Sequence, residues 1–347
     1  MATKATKPKF TFADLFAGIG GMRFAFEDVG GACVLTSEID QNALITYNAQ
    51  SWKDWGKASP GHRLIEDVVA LGNMKPNDIP YFDVLVAGFP CQPYSIAGLR
   101  QGLNDEKGRG QVFLSILDII ENKKPRAFLL ENVRGMLSHD GGKTIEYMMS
   151  ELAKCGDGYT IARPLVLNSS EYGGVPQNRE RVFIIGFRNG EDLSKQLDDE
   201  GQLTIEVERG VTPPPLKALL DENETDERFF YTKKYASCYD TIKKEVTKEN
   251  TAYQWRRVYV RENKSGVCPA LTANMGSGGH NVPLVKIGGR IRKLTPKECA
   301  KLQGFDLGKF VFPEKMALAH LYHQFGNSVT VPVIKRLADQ IVKIIAP

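Results

Sequence analysis

Short apolar runs alternate with segments of helical period through the first half of the chain, and this alternation restricts the possible folds more than any other feature. The runs have the length and composition of buried strands and lie at residues 12–16, 33–37, 84–87, 127–130 and 182–187. The segments with helical period lie at 21–29, 41–49, 112–121 and 144–154, and Asp40 is a suitable N-cap for the second. Strands that alternate with helices build layered structures, so we predict an α/β domain. The more strongly alternating strand after Tyr159 is expected at a sheet edge.

The character of the sequence changes after Arg188. An acidic stretch at 191–208 and three prolines at 213–215 lead into charged and aromatic residues without clear periodicity up to about residue 289. We interpret this part as a small, loop-rich domain. The chain ends with apolar residues at helical spacing that are expected to pack on the first domain: Ile334, Leu337, Ala338, Ile341 and Ile345. The predicted division is 1–190 with 322–347 as one domain, and 191–321 as the second domain and hinge.

Composition narrows the class of protein. The 347 residues are 42% hydrophobic and 25% charged, and no apolar stretch approaches the roughly 20 residues of a membrane span. The six cysteines show no Cys-x-x-Cys pairing, which argues against zinc ribbons and disulfide scaffolds and favours a reducing cytoplasm. His320 and His323 have no third ligand near them in the sequence, so we assign no metal. A net charge of +4 is compatible with a nucleic-acid partner but does not establish one.

One cysteine lies where a nucleophile is expected. Cys91 follows an apolar run directly, in the sequence Gly-Phe-Pro-Cys-Gln-Pro-Tyr-Ser of residues 88–95. Open α/β sheets place their chemistry at the carboxyl ends of strands, and the two flanking prolines stiffen the loop that carries the thiol. Glu131 and Asn132 end the following apolar run, so we expect a carboxyl group on the same rim. An inert buried cysteine and an ordinary strand-end acid are the alternatives.

A glycine-rich turn follows the first predicted strand. Residues 14–21 read Asp-Leu-Phe-Ala-Gly-Ile-Gly-Gly and precede a helix, so the backbone can approach a bound nucleotide closely. Arg23 stands where the third glycine of the dinucleotide fingerprint would be, which weakens a dinucleotide site. Glu38, about 20 residues beyond the turn, has the position of an acid that binds ribose hydroxyls, and Asp67 could bind an adenine amino group. A nucleoside-containing cofactor is therefore indicated, with a ligand-free turn and capping acids as the alternatives.

Basic residues indicate anion binding in several places. Arg179 and Arg181 alternate by two, so on a strand they share a face and could hold one carboxylate or phosphate. The basic stretch 98–110 has the composition of a mobile lid. Arg256 and Arg257 are interleaved with aromatic residues, a composition typical of nucleic-acid binding. A solvated strand face and an ordinary surface loop are the alternatives for the first two.

Taken in order, these segments resemble the motifs of the C5-cytosine DNA methyltransferases, in particular the bacterial restriction-modification type. The matching segments are 12–21, Glu38, Asp67, 88–92, 131–133, 177–181, 292–300 and 324–329, and about 189–290 lacks such motifs. The resemblance implies a Rossmann-like S-adenosylmethionine-dependent methyltransferase sheet with helices on both faces, plus a smaller loop-rich target-recognition domain. It further implies methyl transfer from S-adenosylmethionine to C5 of a cytosine flipped out of a short specific sequence in double-stranded DNA.

The same resemblance implies roles for individual residues. Cys91 would add covalently to cytosine C6, Glu131 would act as an acid at N3, and Asn132 would help to hold that acid. Arg179 and Arg181 would support the flipped base, with Arg181 favoured over Arg179 as the residue that touches it. The implied cofactor residues are Phe16, Gly18, Gly20, Glu38, Asp67, Pro90, Asn327 and Ser328. The implied DNA contacts are Gln92, Ser95, Arg100, Arg256, Arg257 and Thr272.

One position departs from the family pattern. Members typically have Thr-Leu in the small domain, whereas this chain has Ala270, Leu271 and Thr272 in succession. If the family hydroxyl positions the phosphate of the flipped nucleotide, then either Thr272 replaces it or turnover is reduced.

Three alternatives to a DNA methyltransferase stay open at this point. A transfer-RNA-directed member of the same family usually carries a Cys-Phe-Thr signature, which this sequence lacks. A catalytically silent DNA-binding relative is disfavoured because Cys91 and Glu131 are retained. A nicotinamide-dependent dehydrogenase is disfavoured by Arg23. Because one subunit would contain both the cofactor site and the target site, we expect a monomer in the prokaryotic cytoplasm.

Overall fold

The central element of the protein is an eight-stranded sheet. The computed structural model describes residues 7–53, 61–90, 109–209, 212–277 and 281–346. The strands of the sheet are β1 (Phe10–Leu15), β2 (Gly31–Ser37), β3 (Arg63–Leu64), β4 (Val84–Gly88), β5 (Ala127–Val133), β6 (Tyr159–Ile161), β7 (Leu165–Asn168) and β9 (Glu180–Arg188). Their order is β3-β2-β1-β4-β5-β9-β6, and β7 also pairs with β9. The strand that begins at Tyr159 lies at an edge, as predicted.

The first strands of the sheet are parallel and create a crevice at one edge. β1 pairs in parallel with β2 on one side and with β4 on the other, and β4 is parallel to β5. The strands that follow β1 are therefore added on both sides of it, β2 and β3 on one side and β4 and β5 on the other. This reversal of strand order makes the carboxyl end of β1 a topological switch point. β9 runs antiparallel to β5. The carboxyl ends of β2, β1, β4 and β5 consequently lie side by side.

Helices cover both faces of the sheet, as predicted. The helices are α1 (Gly21–Asp28), α2 (Gln41–Asn48), α3 (Val68–Gly72), α4 (Arg109–Lys123), α5 (Lys143–Lys154), α6 (Ser169–Tyr172), α7 (Ala236–Glu245), α8 (Pro296–Leu302), α9 (Leu318–Asn327) and α10 (Val331–Ile345). Phe12 and Val84 point to one face and pack in a core with α1 and α10. Leu85 and Leu130 point to the other face and pack in a core with α3, α4 and α5. Each such buried side chain contributes roughly 1.5–3 kcal/mol to folding.

The C-terminal helix confirms one prediction directly. The apolar stripe of α10, from Ile334 to Ile345, is buried in the large core. The helix packs against α1. The last segment of the chain therefore belongs to the same core as the first strands of the sheet.

The second half of the chain is divided between two cores. Strands β10 (Tyr253–Trp255), β11 (Val260–Glu262), β13 (Leu284–Ile287) and β14 (Arg290–Lys293) form an antiparallel sheet in the order β11-β10-β13-β14. This sheet and α7 enclose a small separate core that contains Tyr253 and Leu284. Leu216, Phe229 and Phe305, in contrast, pack into the large core. The body with its own core is therefore narrower than the predicted domain 191–321.

A short parallel pair joins the two halves. β8 (Gln177–Asn178), which directly precedes β9, pairs with β12 (Cys268–Pro269). This pairing brings the stretch between β11 and β13 to the rim of the central sheet. In the described ranges, none of the helices is both long enough and apolar enough to cross a bilayer.

Candidate active site

A cavity of about 330 Å³ opens at the carboxyl edge of the parallel strands. This volume is at the lower end of the range of small-molecule sites, roughly 300–1,000 Å³. Its lining combines strand-end residues with the segment between α9 and α10: Phe16, Gly18, Glu38, Ile39, Asp40, Ala43, Gly88, Phe89, Pro90, Glu131, Asn132, Val133, Arg179, Arg181, His323, Gln324, Gly326, Asn327 and Ser328. Most of the described residues that the sequence predicted for catalysis and cofactor binding therefore share one cavity.

The glycine-rich turn forms one wall of the cavity. Phe16, Gly18 and Gly20 have positive φ angles of 57°, 56° and 84°, so the chain makes a left-handed turn between β1 and α1. Glu38 stabilises this turn, because its Oε2 accepts the Gly18 N–H at 2.6 Å and its Oε1 accepts the Asp40 N–H at 2.8 Å. Burial raises the pKa of Glu38 above its ordinary value, and the two hydrogen bonds oppose that rise.

Two residues predicted to bind the cofactor lie beside the cavity instead of lining it. A Cβ atom at Gly20 would lie 2.3 Å from the ring of Trp52, so glycine is required there for packing as well as for its φ angle. Asp67 is the N-cap of α3, and its Oδ1 accepts the Val69 N–H at 2.9 Å. The structure thus gives both residues a role in shaping the elements that surround the cavity.

The sequence reasoning missed two residues of the same wall. Ile39 lines the cavity and is 67% exposed, and Asp40 lines it while capping α2 through the N–H of Asn42 at 2.8 Å. Ile39 could have been found from the sequence, because it is an apolar residue directly after the strand-end acid Glu38. A large exposed apolar side chain at such a position suits a ligand surface.

A buried charged cluster lies beneath the turn. The Asp14 carboxyl group is fully buried, and burial raises its pKa to about 8, partly offset by the nearby Arg23. Arg23 Nε lies 2.6 Å from Glu27 Oε1, and its Nη1 donates to Tyr47 Oη at 2.7 Å. The guanidinium also lies 4.3 Å from the centroid of the Trp52 ring. The arginine in place of a third glycine therefore fills the space under the turn.

Glu131 and Arg181 form an ion pair at the opposite wall. Arg181 Nε lies 3.0 Å from Glu131 Oε1, and both side chains are largely buried. Arg181 is the cross-strand partner of Val133, two residues beyond Glu131, so the two charged side chains are diagonal neighbours on one face of the β5–β9 pair. The ion pair fixes the direction of the Glu131 carboxyl group at the cavity wall.

Asn132 does not contact the acid that it was expected to hold. Its Nδ2 donates instead to the Phe89 carbonyl oxygen at 3.2 Å, and its Oδ1 accepts the N–H of Val133. The reason is the strand period, since Asn132 points to the other side of β5 from Glu131. Asn132 therefore ties β5 to the segment that leads to Cys91.

Arg179 and Arg181, which we predicted could hold one anion together, have different partners in the structure. Arg179 lies between β8 and β9, and its guanidinium donates to the carbonyl oxygens of Leu271 and Ser328 at 2.8 and 2.5 Å. Burial lowers the pKa of Arg179 to about 9, and the nearby charge of Arg181 acts in the same direction. The two arginines share the cavity but have different partners.

The remaining predicted residues lie in three places. Asn327 and Ser328 line the cavity, and Asn327 Nδ2 is 3.0 Å from His323 Nε2. Thr272 is exposed next to the cavity, and its backbone packs on Gly326. Arg256 and Arg257 are exposed at the turn between β10 and β11. Residues 91–108 lie outside the described part, and with them Cys91, Gln92, Ser95 and Arg100.

The described residues give no sign of a metal centre. Over those ranges, no group of three or more His, Cys, Asp and Glu side chains is placed to hold a metal ion.

Comparisons with known proteins agree on one family. The family model described as "C-5 cytosine-specific DNA methylase" matches residues 10–343. The Type II methyltransferase M.Bsp6I of Bacillus sp. (strain RFL6) is 44% identical over 333 residues, which cover 95% of this chain and 98% of the relative. The Type II methyltransferase M.HpaII of Haemophilus parainfluenzae is 34% identical over 351 residues, covering 97% and 90%. A DNA-cytosine methyltransferase of Escherichia coli (strain K12) is 32% identical over 372 residues, covering 95% and 76%.

Solved structures share the fold. A DNMT2 variant from Spodoptera frugiperda superposes with a TM-score of 0.71 at 20% identity, over 95% of this chain and 99% of that chain. The methyltransferase EhMeth of Entamoeba histolytica gives a TM-score of 0.65 at 17% identity, over 97% and 98%. These similarities concern the architecture and support a Rossmann-like methyltransferase sheet.

Proposed function

The chain belongs to the C-5 cytosine-specific DNA methylase family, and we propose that it methylates a cytosine flipped out of a short specific DNA sequence, through a covalent adduct between Cys91 and cytosine C6. As a family member it is a DNA (cytosine-5-)-methyltransferase. Its relatives M.Bsp6I and M.HpaII are named as Type II methyltransferases, so we propose a restriction-modification role. We further propose that it acts as a monomer in the prokaryotic cytoplasm.

The covalent step answers a chemical problem. Carbon 5 of cytosine is a poor nucleophile, and addition of the Cys91 thiolate at C6 converts the ring into an enamine that is electron-rich at C5. Glu131 stabilises the adduct through a proton at N3, and Arg181 keeps the Glu131 carboxyl group in place for that contact. After C5 has been methylated, loss of its proton breaks the C6–sulfur bond and restores the aromatic ring. The thiolate is regenerated for another turnover.

The lining of the cavity suits S-adenosylmethionine, which supplies the methyl group. Glu38 and Asp40 are acceptors for ribose hydroxyls and an amino group, while Phe16 and Ile39 offer apolar surface to a purine ring. Gly18, Pro90, Asn327 and Ser328 complete the predicted cofactor set at this wall. Gly20 and Asp67 support it from outside, through the turn and through the cap of α3.

The β10–β11 hairpin is our candidate for the element that contacts DNA. Its tip carries Arg256 and Arg257, and beside them Val258 and Tyr259 are 83% and 55% exposed. A two-stranded ribbon fits the major groove of B-DNA, where cationic side chains bind phosphates or guanine and apolar groups contact thymine methyls. Five residues separate Glu262 from Cys268 in β12, so the base of the hairpin lies within about 22 Å of the strand that pairs with β8. Thr272 lies along the same path, and Gln92, Ser95 and Arg100 are further proposed contacts.

The observation that carries this proposal is the Glu131–Arg181 ion pair in a cavity whose opposite wall is the glycine-rich turn, with Pro90 directly before Cys91. The described part of this arrangement has an acid and the glycine-rich turn at one cavity, and we propose that the nucleophile follows Pro90 there. It is tested by incubating the protein with labelled S-adenosylmethionine and, separately, duplex DNA and transfer RNA, followed by base-resolution mapping of modified cytosines. We expect 5-methylcytosine at one short sequence in DNA and none in RNA. Label in RNA alone would overturn the substrate assignment.

A further inference from the structure

Arg179 is bonded to backbone atoms from two distant parts of the chain. Its Nη1 donates to Leu271 O at 2.8 Å and its Nη2 donates to Ser328 O at 2.5 Å. Both terminal nitrogens also lie 3.4 Å from Gly326 O. The side chain is only 2% exposed, so these carbonyl oxygens take the place of water around the charge. Of the three guanidinium nitrogens of Arg179, Nε alone has no hydrogen-bond partner among the described residues.

The peptide group of Leu271 is held from both sides. Gln177 Oε1 accepts the Leu271 N–H at 2.9 Å, while Arg179 binds the Leu271 carbonyl oxygen. The other end of the Gln177 amide donates to Leu302 O at 2.8 Å. The side chains of Gln177 and Arg179 thus fix the backbone directly after β12.

The stretch after Leu271 also packs directly on the backbone of α9, and we call this contact the seam. A Cβ atom at Gly326 would lie 2.1 Å from the carbonyl carbon of Thr272, and one at Gly276 would lie 2.5 Å from Ala319 O. Contacts this short leave no room for a side chain, so the segment 272–276 sits directly on α9. Gly326 and Ser328 line the cavity, whereas Leu271 and Thr272 lie in the stretch that connects β11 to β13 of the small sheet, with Leu271 itself packed into the large core. The seam therefore anchors a connection between two strands of the small sheet to the cavity wall.

We propose that Arg179 is a positioning residue that holds the connection between β11 and β13 against the cavity wall, so that DNA read by the small sheet presents the correct cytosine to the cavity. This inference rests on the proposed function and extends the prediction that Arg181 is favoured over Arg179 as the residue that touches the flipped base. The terminal nitrogens of Arg179 are already bonded to carbonyl oxygens. Without the Arg179 bonds, the small sheet is held less firmly relative to the cavity, and DNA bound by the sheet presents the wrong cytosine more often.

The test is the substitution Arg179→Lys, which keeps a cation but cannot bridge Leu271 and Ser328 simultaneously. Substrates are duplexes with the mapped target and duplexes with one mismatched base pair, and kcat and KM are measured for each. We expect the ratio of kcat/KM between target and mismatch duplexes to fall at least tenfold. Methylation of neighbouring cytosines should become detectable by base-resolution mapping.

Two controls separate positioning from other roles. Arg126→Lys is the matched change, because Arg126 donates two hydrogen bonds to Glu191 and lies directly before β5, at the opposite end of that strand from Glu131 and the cavity. It should lower the melting temperature without changing discrimination. Arg181→Lys should lower kcat on all duplexes alike. Should Arg179→Lys fail to fold, Gln177→Met removes the opposite bond to Leu271, and its discrimination should fall about threefold.

The outcomes are distinct. If the unaltered protein methylates DNA and Arg179→Lys lowers kcat with unchanged discrimination, Arg179 contacts the base and the inference is wrong. The inference is also wrong if Arg126→Lys loses discrimination to the same extent, because the effect would then be one of general stability. If the unaltered protein forms no 5-methylcytosine, the proposed function itself fails.

Discussion

At the scale of single residues, the site depends on how each side chain is fixed by its neighbours. The position of Glu131 at the cavity could be predicted because Glu131 ends an apolar run, and such positions converge at the edge of a parallel sheet. The bonds of Arg179 could not be predicted, since its carbonyl partners lie 92, 147 and 149 residues away in the chain. The contact of Asn132 with Phe89 was missed for a related reason, because the direction of a side chain depends on the exact register of β5.

The role of Glu131 can be measured by replacing its acid with an amide. We expect Glu131→Gln to lower kcat about 10²-fold, because a positioned proton donor typically contributes at least this much. Binding of S-adenosylmethionine should change little. Glu180→Gln is the control, since Glu180 precedes Arg181 on β9 but forms an exposed pair with Arg134. Equal losses in the two variants would contradict the assignment of the acid.

Asp14 makes a separate prediction about pH and stability. Burial raises the pKa of Asp14 to about 8 in the folded protein, whereas an unfolded chain has a value near 3.9. The folded state therefore binds more protons between these values, and the contribution of Asp14 to stability falls as the pH rises from about 4 to about 8. His62 acts in the opposite direction, because burial lowers its pKa to about 4.

The variant Asp14→Asn isolates the contribution of Asp14 to the pH dependence of stability. It should match the unaltered protein near pH 4 and exceed it in melting temperature at pH 8, because an amide has no charge to bury. Thermal unfolding followed by circular dichroism at both pH values gives the comparison. A difference in melting temperature that does not vary with pH would show that Asp14 does not titrate in this range.

At the scale of elements, the large sheet could be predicted and the small one could not. Buried parallel strands are continuous apolar runs, so β4 and β5 are visible in the sequence. The strands of the small sheet have three or four residues each, and β11 reads Val-Arg-Glu, which carries no apolar period. Helix α7 was missed because its sequence, Ala-Ser-Cys-Tyr-Asp-Thr-Ile-Lys-Lys-Glu, is mostly polar. Its stability comes from packing Ile242 into the small core.

The β10–β11 hairpin makes a prediction at this scale. Arg256 and Arg257 are absent from the ion pairs among the described residues, so their charges are available to phosphates. The double substitution Arg256→Gln with Arg257→Gln should weaken duplex binding and reduce the slope of log K against log salt by about 1.8, that is about 0.9 per lost phosphate contact. Fluorescence anisotropy over a salt series provides the measurement.

Arg163→Gln is the control for that pair of substitutions. Arg163 is exposed but already paired with Asp198 and Glu200, and its loss should leave the slope unchanged. If the hairpin variant keeps the slope of the unaltered protein, the hairpin does not bind the DNA backbone.

At the scale of the whole molecule, one large core unites segments that are far apart in the sequence. The C-terminal helix and the stretch from Leu294 to Phe310 pack on the same face of the sheet as α1. The cavity is therefore closed by residues from both ends of the chain, with Gly18 on one side and Ser328 on the other. This closure explains why the family motifs extend along nearly the entire sequence, with the small sheet inserted between them.

The central claim is that the thiol of Cys91 bonds transiently to the pyrimidine ring. A duplex with 5-fluorocytosine at the mapped target tests it most directly, because fluorine at C5 cannot leave as a proton and the adduct persists. Peptide mass spectrometry should locate the cross-link at Cys91, and Cys91→Ala should bind the same duplex without forming it. A cross-link at another residue, or rapid methylation of the normal duplex by Cys91→Ala, would contradict the account.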